Sequence, residues 1–318
     1  MLAVTAIATV YLRDLFAVVM LFGIYSLLSA GFFINLDAPD VALTEAAVGA
    51  GITTVLMLGT LALTGRTEKK SSHNVLLPLV VVTVTGMALI YGTLDMPHFA
   101  DPNAPAQQHV APRYIHDSPN EIGIDNMVAS VLASYRGYDT FGEVIVIFTA
   151  GIGVLAILGF SAKQRNIKYQ PPTMQHHMVL RVITQALIPL ILLYGLYIQF
   201  HGDYGPGGGF QAGVIFAAAF ILYAMIYSLN LAYRIISARL ILILMSAGAL
   251  LYGGVGVVTM LLGGNYLDYN FLSKDPLYGQ HIGIILVEFG VGVCVAAVMI
   301  SIFFDFTGRS ARQTGKEE

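Results

Sequence analysis

Eight stretches of about 20 predominantly apolar residues, the length needed to cross a hydrocarbon layer, recur along this 318-residue chain. They lie at 15–36, 41–64, 75–94, 141–160, 178–200, 210–229, 240–262 and 282–304, and fill more than half of the sequence. No single water-facing surface can be arranged around that much apolar chain when only 11% of the residues are charged, against roughly 25% in an ordinary soluble domain. A soluble enzyme is excluded. In lipid every backbone polar group must be satisfied within the protein, and continuous apolar runs of this length do so as helices. The fold class expected is therefore all-α: a polytopic transmembrane helix bundle of eight spans, plus a possible short N-terminal helix. That opening stretch, Met1 to Leu12, reaches only about 18 Å at 1.5 Å per residue before Arg13-Asp14 stops it. It has no basic lead and no small-residue cleavage site, so it reads as a stub and not as a secretory peptide.

Basic residues set the orientation, because cytoplasmic connections hold the excess of Lys and Arg. One side receives Arg13, Arg66, Lys69, Lys70, Lys163, Arg165, Lys168, Arg181, Arg234, Arg239, Arg309, Arg312 and Lys316; the other receives Arg113, Arg136 and Lys274. The split is thirteen to three, and it places both the region around Arg13 and the C-terminus in the cytoplasm. A missed or extra span would have scrambled the pattern, so the charges also support the number of spans. The net charge of −3, with no basic run longer than Lys69-Lys70, gives nucleic acid nothing to bind. A single cysteine, Cys294, permits neither an intrachain disulfide nor a cysteine-built metal cluster. No cofactor is expected.

Only one connection is long, Asp95 to Thr140 on the outer side, with five prolines and six acidic groups. It is expected to be an extended cover with little regular structure. His98, His109 and His116 within it have no metal-ligand spacing, and no metal site is assigned. The stretch Lys163 to His177, with Pro171-Pro172, is the best junction between two modules.

An ionisable group in hydrocarbon costs at least about 2.5 kcal/mol on insertion scales, so each needs a reason. Arg181 lies three residues inside a cytoplasmic helix end, where its stem can snorkel to the headgroups. Glu45, Glu143 and Glu288 are short carboxylates, about 6, 3 and 9 Å below the outer edge of their spans at 1.5 Å per residue. Desolvated carboxylates at such places exchange protons or bind partly dehydrated cations. The plainer alternative is a charge held in the first turns of a helix, where the dipole favours it. Beside Glu45, Asp40 is placed to cap the helix and Thr44 to bond the backbone behind it. Gly49-Ala-Gly51 either lets a neighbour approach closely or permits a bulge that frees a carbonyl. The glycine-rich turn from His201 to Gln211 lacks the Lys-Ser/Thr of a phosphate loop. It reads as a rigid outer turn whose His201, Asp203 and Gln211 form either plain turn geometry or the polar mouth of an ion path.

These same residues carry a family resemblance. The run DAPDVALTEAAVGAG from Asp37 to Gly51 resembles the small membrane D subunit of energy-converting hydrogenases and the matching C-terminal part of the large A-type protein of Mrp (Mnh) Na+/H+ antiporters. DMPHFADPNAP from Asp95 to Pro105, with YRGYDTFGE from Tyr135 to Glu143, resembles the companion E subunit. The segment from His201 to Gly213 and the helices around it are similar to the B-type subunit of Mrp antiporters. The resemblance implies a fusion: a D-like module at 1–74, an E-like module at 75–162 with its outer loop at 95–140, and a B-like module at 163–318. The D and E part also resembles the J subunit of respiratory complex I.

What the resemblance implies is a non-enzymatic subunit of a multisubunit Na+/H+ antiporter in the inner (plasma) membrane. Its partners would be other antiporter subunits, among them a large antiporter-like one, and its cargo Na+ and H+. By matched position the family's intramembrane acids fall on Asp40, Glu45 and Glu143, with transient Na+ at the last two; Glu288 rests on its burial alone. The rival is the membrane arm of a redox-driven complex such as an energy-converting hydrogenase, and a third reading is a scaffold that only seals and assembles.

Overall fold

In a computed structural model the chain is helical throughout its membrane-spanning parts, and the structure describes residues 1–68, 76–158 and 177–314. Among the described residues a short apolar helix, α1 (Leu2–Tyr11), leads into eight helices long and apolar enough to cross a membrane. These are α2 (Leu15–Asn35), α3 (Pro39–Ala62), α4 (Leu76–Thr93), α5 (Gly137–Leu158), α6 (Met178–His201), α7 (Gly209–Tyr227), α8 (Ala238–Leu261) and α9, whose apolar part is Pro276–Gly308 within a helix that continues to Thr314. All eight expected spans are present, each with ends shifted by a few residues. At ten residues α1 is about 15 Å long, half a bilayer core. The junction expected at Lys163 to His177 lies, apart from His177, outside the described residues.

The centre of the bundle is α9. It packs against α7 and α8 most extensively, then against α5 and the second half of α3. Small residues make the close approaches: a side chain on Gly248 of α8 would meet the carbonyl of Gly290 and the backbone of Cys294, and one on Gly213 of α7 would meet the carbonyl of Gly292. Without a hydrophobic driving force between helices in lipid, such backbone contact supplies the packing. Gly151 of α5 leaves room for Met245 of α8 and Val298 of α9 in the same way. By contrast, α4 has no buried residue.

Two expectations are corrected. The long connection is not an extended cover: it folds into helical pieces at Pro105–Pro112, Arg113–Asp117, Ser118–Glu121, Met127–Ala129 and Ser130–Tyr135. Pro105 and Pro119 sit in first turns, where no N–H is missed, and Asn126 caps its helix by accepting from the amides of Val128 and Ala129. Ile122, Ile124, Ala129 and Ala133 then bury against the core. Tyr269 donates to the carbonyl of Ala133, Tyr252 to that of Gly137, and Ser134 to Gln280. The cover is thus bolted onto α8 and α9. Secondly, Asp40 is not the helix cap, since Ala38 holds that position with Pro39 in the first turn, and the Asp40 side chain is free to point elsewhere.

At the opposite end, Asp14 caps α2 and binds Arg66 at 2.9 Å, joining the start of the first long helix to the end of the second. Arg66 lowers the pKa of this exposed carboxyl through its hydrogen bonds.

Candidate functional site

Helix α3 is three pieces in one rod: an α-helical start Pro39–Glu45, a π-helical segment Ala46–Thr53 and an α-helical end Thr54–Leu63. Both openings left by Gly49-Ala-Gly51 are used. The backbone winds wider through the π-helical segment, and Gly49 lies against Ser26 of α2 so tightly that a Cβ would fall 2.6 Å from its Oγ. Thr44 donates back to the carbonyl of Asp40 at 2.9 Å.

Asp40, only 8% exposed, reaches across to the glycine-rich turn. Its Oδ1 accepts from the backbone amide of Gly207 at 3.2 Å and from the Asn126 side chain at 3.3 Å. Asn126 also donates to the carbonyls of Gly202 and Gly205, each at 2.8 Å, and its backbone amide bonds the carbonyl of Asp203. One residue of the outer connection therefore clamps the turn from α6 to α7 onto the start of α3. Gln211 adds a second link by donating to Thr44 at 2.8 Å.

The turn can be held this closely because it lacks side chains. Gly208 has φ +130°, a left-handed value that favours glycine, and a Cβ on Gly209 would run into the backbone carbonyl of Glu288. The Glu288 carboxylate lies between two glycines: Cβ atoms on Gly202 and Gly208 would each sit 3.1 Å from one of its oxygens. Glu288 is within electrostatic reach of Asp203 and Asp40. Asp203, 5% exposed, is paired with His281, about two turns before Glu288 on α9, with Nδ1 2.8 Å from Oδ2. Burial pushes the Asp203 carboxyl above its ordinary range, and the His281 imidazole pulls it back.

The structure thus brings together five of the residues singled out in the sequence, Asp40, Thr44, Asp203, Gln211 and Glu288, and supplies Asn126 and His281 around them. It leaves three apart. Glu45 is half-buried and folds along its own helix, over Gly49 and towards Ser26. Glu143 is exposed on the surface of α5. His201 turns back on α6 and stacks on Tyr197, ring centroids 4.8 Å apart. Asn126 had no signal of its own, being a lone amide in a loop, and only the cap it forms could have marked it. No group of three or more His, Cys, Asp or Glu able to hold a metal occurs among the described residues. Three carboxylates, an imidazole and two amides in a largely buried knot can nonetheless pass protons or coordinate a partly hydrated monovalent cation.

Comparison with known proteins divides the chain in three. A family model described as the D subunit of MBH matches residues 1–66; one described as the E subunit of MBH matches 74–172; and a domain related to the MnhB subunit of Na+/H+ antiporters matches 179–301. The putative antiporter subunit mnhB2 of Staphylococcus aureus strain Newman is 31% identical over 139 residues, which is 42% of this chain and 96% of that protein; strain COL gives the same figures. Among solved structures, the Mrp complex from Dietzia sp. DQ12-45-1b has the same fold over 96% of this chain, with TM-score 0.75 and 24% identity. This chain spans about a third, 34%, of the chain it matches there. The membrane-bound sulfane sulfur reductase, an archaeal respiratory membrane complex, gives TM-score 0.54 at 26% identity over 72% of this chain and 96% of that one. The chain is a multi-pass membrane protein and belongs to the family of MnhB-related subunits of Na+/H+ antiporters, with MBH-type D and E domains joined ahead of that domain on one polypeptide.

Proposed function

We propose that this chain is a non-catalytic subunit of a multisubunit Na+/H+ antiporter, and that the knot of Asp40, Asn126, Asp203, Gln211, His281 and Glu288 is the mouth of its ion path. The observation that carries this is the meeting of all three modules at one polar point. Asp40 comes from the D-like part (1–74), Asn126 from the E-like part (75–162), and Asp203, Gln211 and Glu288 from the B-like part (163–318). Helices that only seal lipid have no need to gather acids at their shared boundary, where each buried charge must be offset. The distribution of Lys and Arg supports an orientation with this end outside and the termini in the cytoplasm, and the antiporter reading implies the inner (plasma) membrane. Na+ would enter through the carboxylates as they lose protons. Glu45, one turn below Asp40 and just ahead of the π-helical part of α3, continues the route, and Glu143 on the open surface of α5 faces a neighbouring subunit. On this reading its partners include a large antiporter-like protein.

The test is collapse of a pH gradient on adding Na+, in inverted vesicles carrying the whole gene cluster. Asp40→Asn and Glu288→Gln should each leave the complex assembled and reduce exchange at least tenfold. Normal exchange in both variants would make the knot a fastening between modules and nothing more. The likeness to the sulfane sulfur reductase and the MBH domain matches support a second reading, the membrane arm of a redox-driven pump. Under it, neighbouring genes would encode cysteine-rich cluster-binding subunits, and Na+ alone would drive no exchange in wild-type vesicles.

A further inference from the structure

Helix α9 carries a second buried acid, and neither its family matches nor the knot accounts for it. By hydropathy the apolar run ends at Ile302–Phe304, yet the helix continues to Thr314, and Asp305 lies inside the spanning part Pro276–Gly308. It stands 17 residues beyond Glu288, about 25 Å along the axis at 1.5 Å per residue, close to the thickness of a bilayer core. An acid so near a membrane edge can ordinarily turn outwards to water. Asp14 at this end does so, bound to Arg66 at the surface, and Glu68 is exposed. Asp305 does the opposite. It is 8% exposed, set among buried Ser301, Phe303 and Phe304.

Its position on the helix says where it is aimed. Val298, two turns earlier and on the same side of α9, fills the space left by Gly151 of α5. Asp305 therefore lies on the α5-facing side, where the E-like and B-like parts meet. Among the described residues its side chain has one hydrogen bond, a long one from Ser301 at 3.4 Å to Oδ2, and no Lys, Arg or His among the described side chains lies within ion-pairing distance. Among the described residues this carboxylate is neither ion-paired nor firmly hydrogen-bonded, and a buried charge held so loosely gains nothing for stability, so packing alone does not explain it.

We propose that Asp305 is the group through which protons enter or leave the bundle at the basic end, a second ionisable station on the helix that carries Glu288. This rests on the antiporter reading and adds the other end of the path to it. The carboxyl takes a proton from water at the membrane edge and releases it into the seam between α5 and α9, or runs in reverse, with no bond formed other than O–H. Arg309, one turn further on in the sequence, defines the rival explanation, a simple ion pair at the helix end.

The experiment uses the whole gene cluster in inverted vesicles, with assembly checked by co-purification of the subunits. Asp305→Asn should assemble and lose Na+-driven exchange at least tenfold, Asp305→Glu should keep it, and Arg309→Gln should exchange as wild type. Wild-type exchange in Asp305→Asn, or equal loss in Arg309→Gln, would overturn the proposal. Should Asp305→Asn fail to assemble, dicyclohexylcarbodiimide on the wild-type complex decides. The protonated carboxyl adds across one C=N bond, its proton going to nitrogen, and the adduct rearranges to a stable N-acylurea. An adduct on Asp305 by peptide mass supports the proposal, and its absence overturns it. Loss of exchange in Asp40→Asn but not in Asp305→Asn would sink this inference alone, whereas absence of Na+-driven exchange in the wild type would sink both it and the antiporter reading.

Discussion

Asn126 shows how much one side chain holds here. Its amide group donates to two backbone carbonyls of the glycine-rich turn and to Asp40, while its oxygen caps the next helix. Removing one partner from buried hydrogen-bonding groups costs about 1–3 kcal/mol. Asn126→Ala should accordingly lower the thermal stability of the purified complex, and unchanged stability would show that water replaces the amide. Asp203 gives a dependence on pH. Since burial raises its pKa in the folded chain, the folded state holds the proton more tightly than the unfolded one. The stabilisation is complete below the ordinary carboxylate range and is lost as pH rises through the raised value. Hydrogen exchange at the amides of residues 202–208 should therefore speed up with pH across that window by more than the chemical rate does, and the Asp203→Asn variant should lose this excess.

Helices in this bundle approach one another as far as their glycines permit, and the glycines are not equivalent. Gly209 meets the Glu288 carbonyl with no room for a Cβ, whereas Gly254 of α8 has nothing within 4 Å of where a Cβ would stand. Gly209→Ala should cost about 1–3 kcal/mol as overpacking and part the turn from α9, reducing both assembly and exchange. Gly254→Ala should be neutral or stabilising by up to about 1 kcal/mol, because glycine in a helix interior is that much less favourable than alanine. Thermal denaturation of the two variants side by side checks the contrast; equal effects would mean that helix propensity and not contact with α9 governs both. The broken helix α3 is a different case. Its Gly-Ala-Gly run was legible as a weak point, but that the weakness became both a wider winding and a close approach depended on contacts such as that with Ser26 of α2, which the local sequence does not specify.

The modules are held to each other by more than the chain that links them. Tyr252 and Tyr269 of the B-like part donate to carbonyls at the start of α5 and in the cover before it, and α5 itself packs on α8 and α9. A chain cut between Lys163 and Thr173, and expressed as two pieces from one operon, should therefore co-purify as a complex. Recovery of either piece alone would show that the covalent link, and not the interface, keeps the modules together.

Span number, the helical class and the distribution of basic residues follow from the sequence by itself, because hydrocarbon tolerates only one local solution for a long apolar run and charges outside it are counted without knowing any contact. Asp40, Asp203, Gln211 and Glu288 were also visible singly, as polar residues in places where polarity is costly. Their meeting was not, since Asp40 lies 86 residues from Asn126 and 167 from Gly207, and nothing local relates such positions. The helical cover and the inward turn of Asp305 escaped for the same reason: each depends on burial against neighbouring helices, and burial is a property of the assembled bundle. The sequence thus determined what each segment is, and the tertiary structure alone decided which segments share a surface, because pairing across long loops is chosen by shape and small-residue contact, which no period in the chain records.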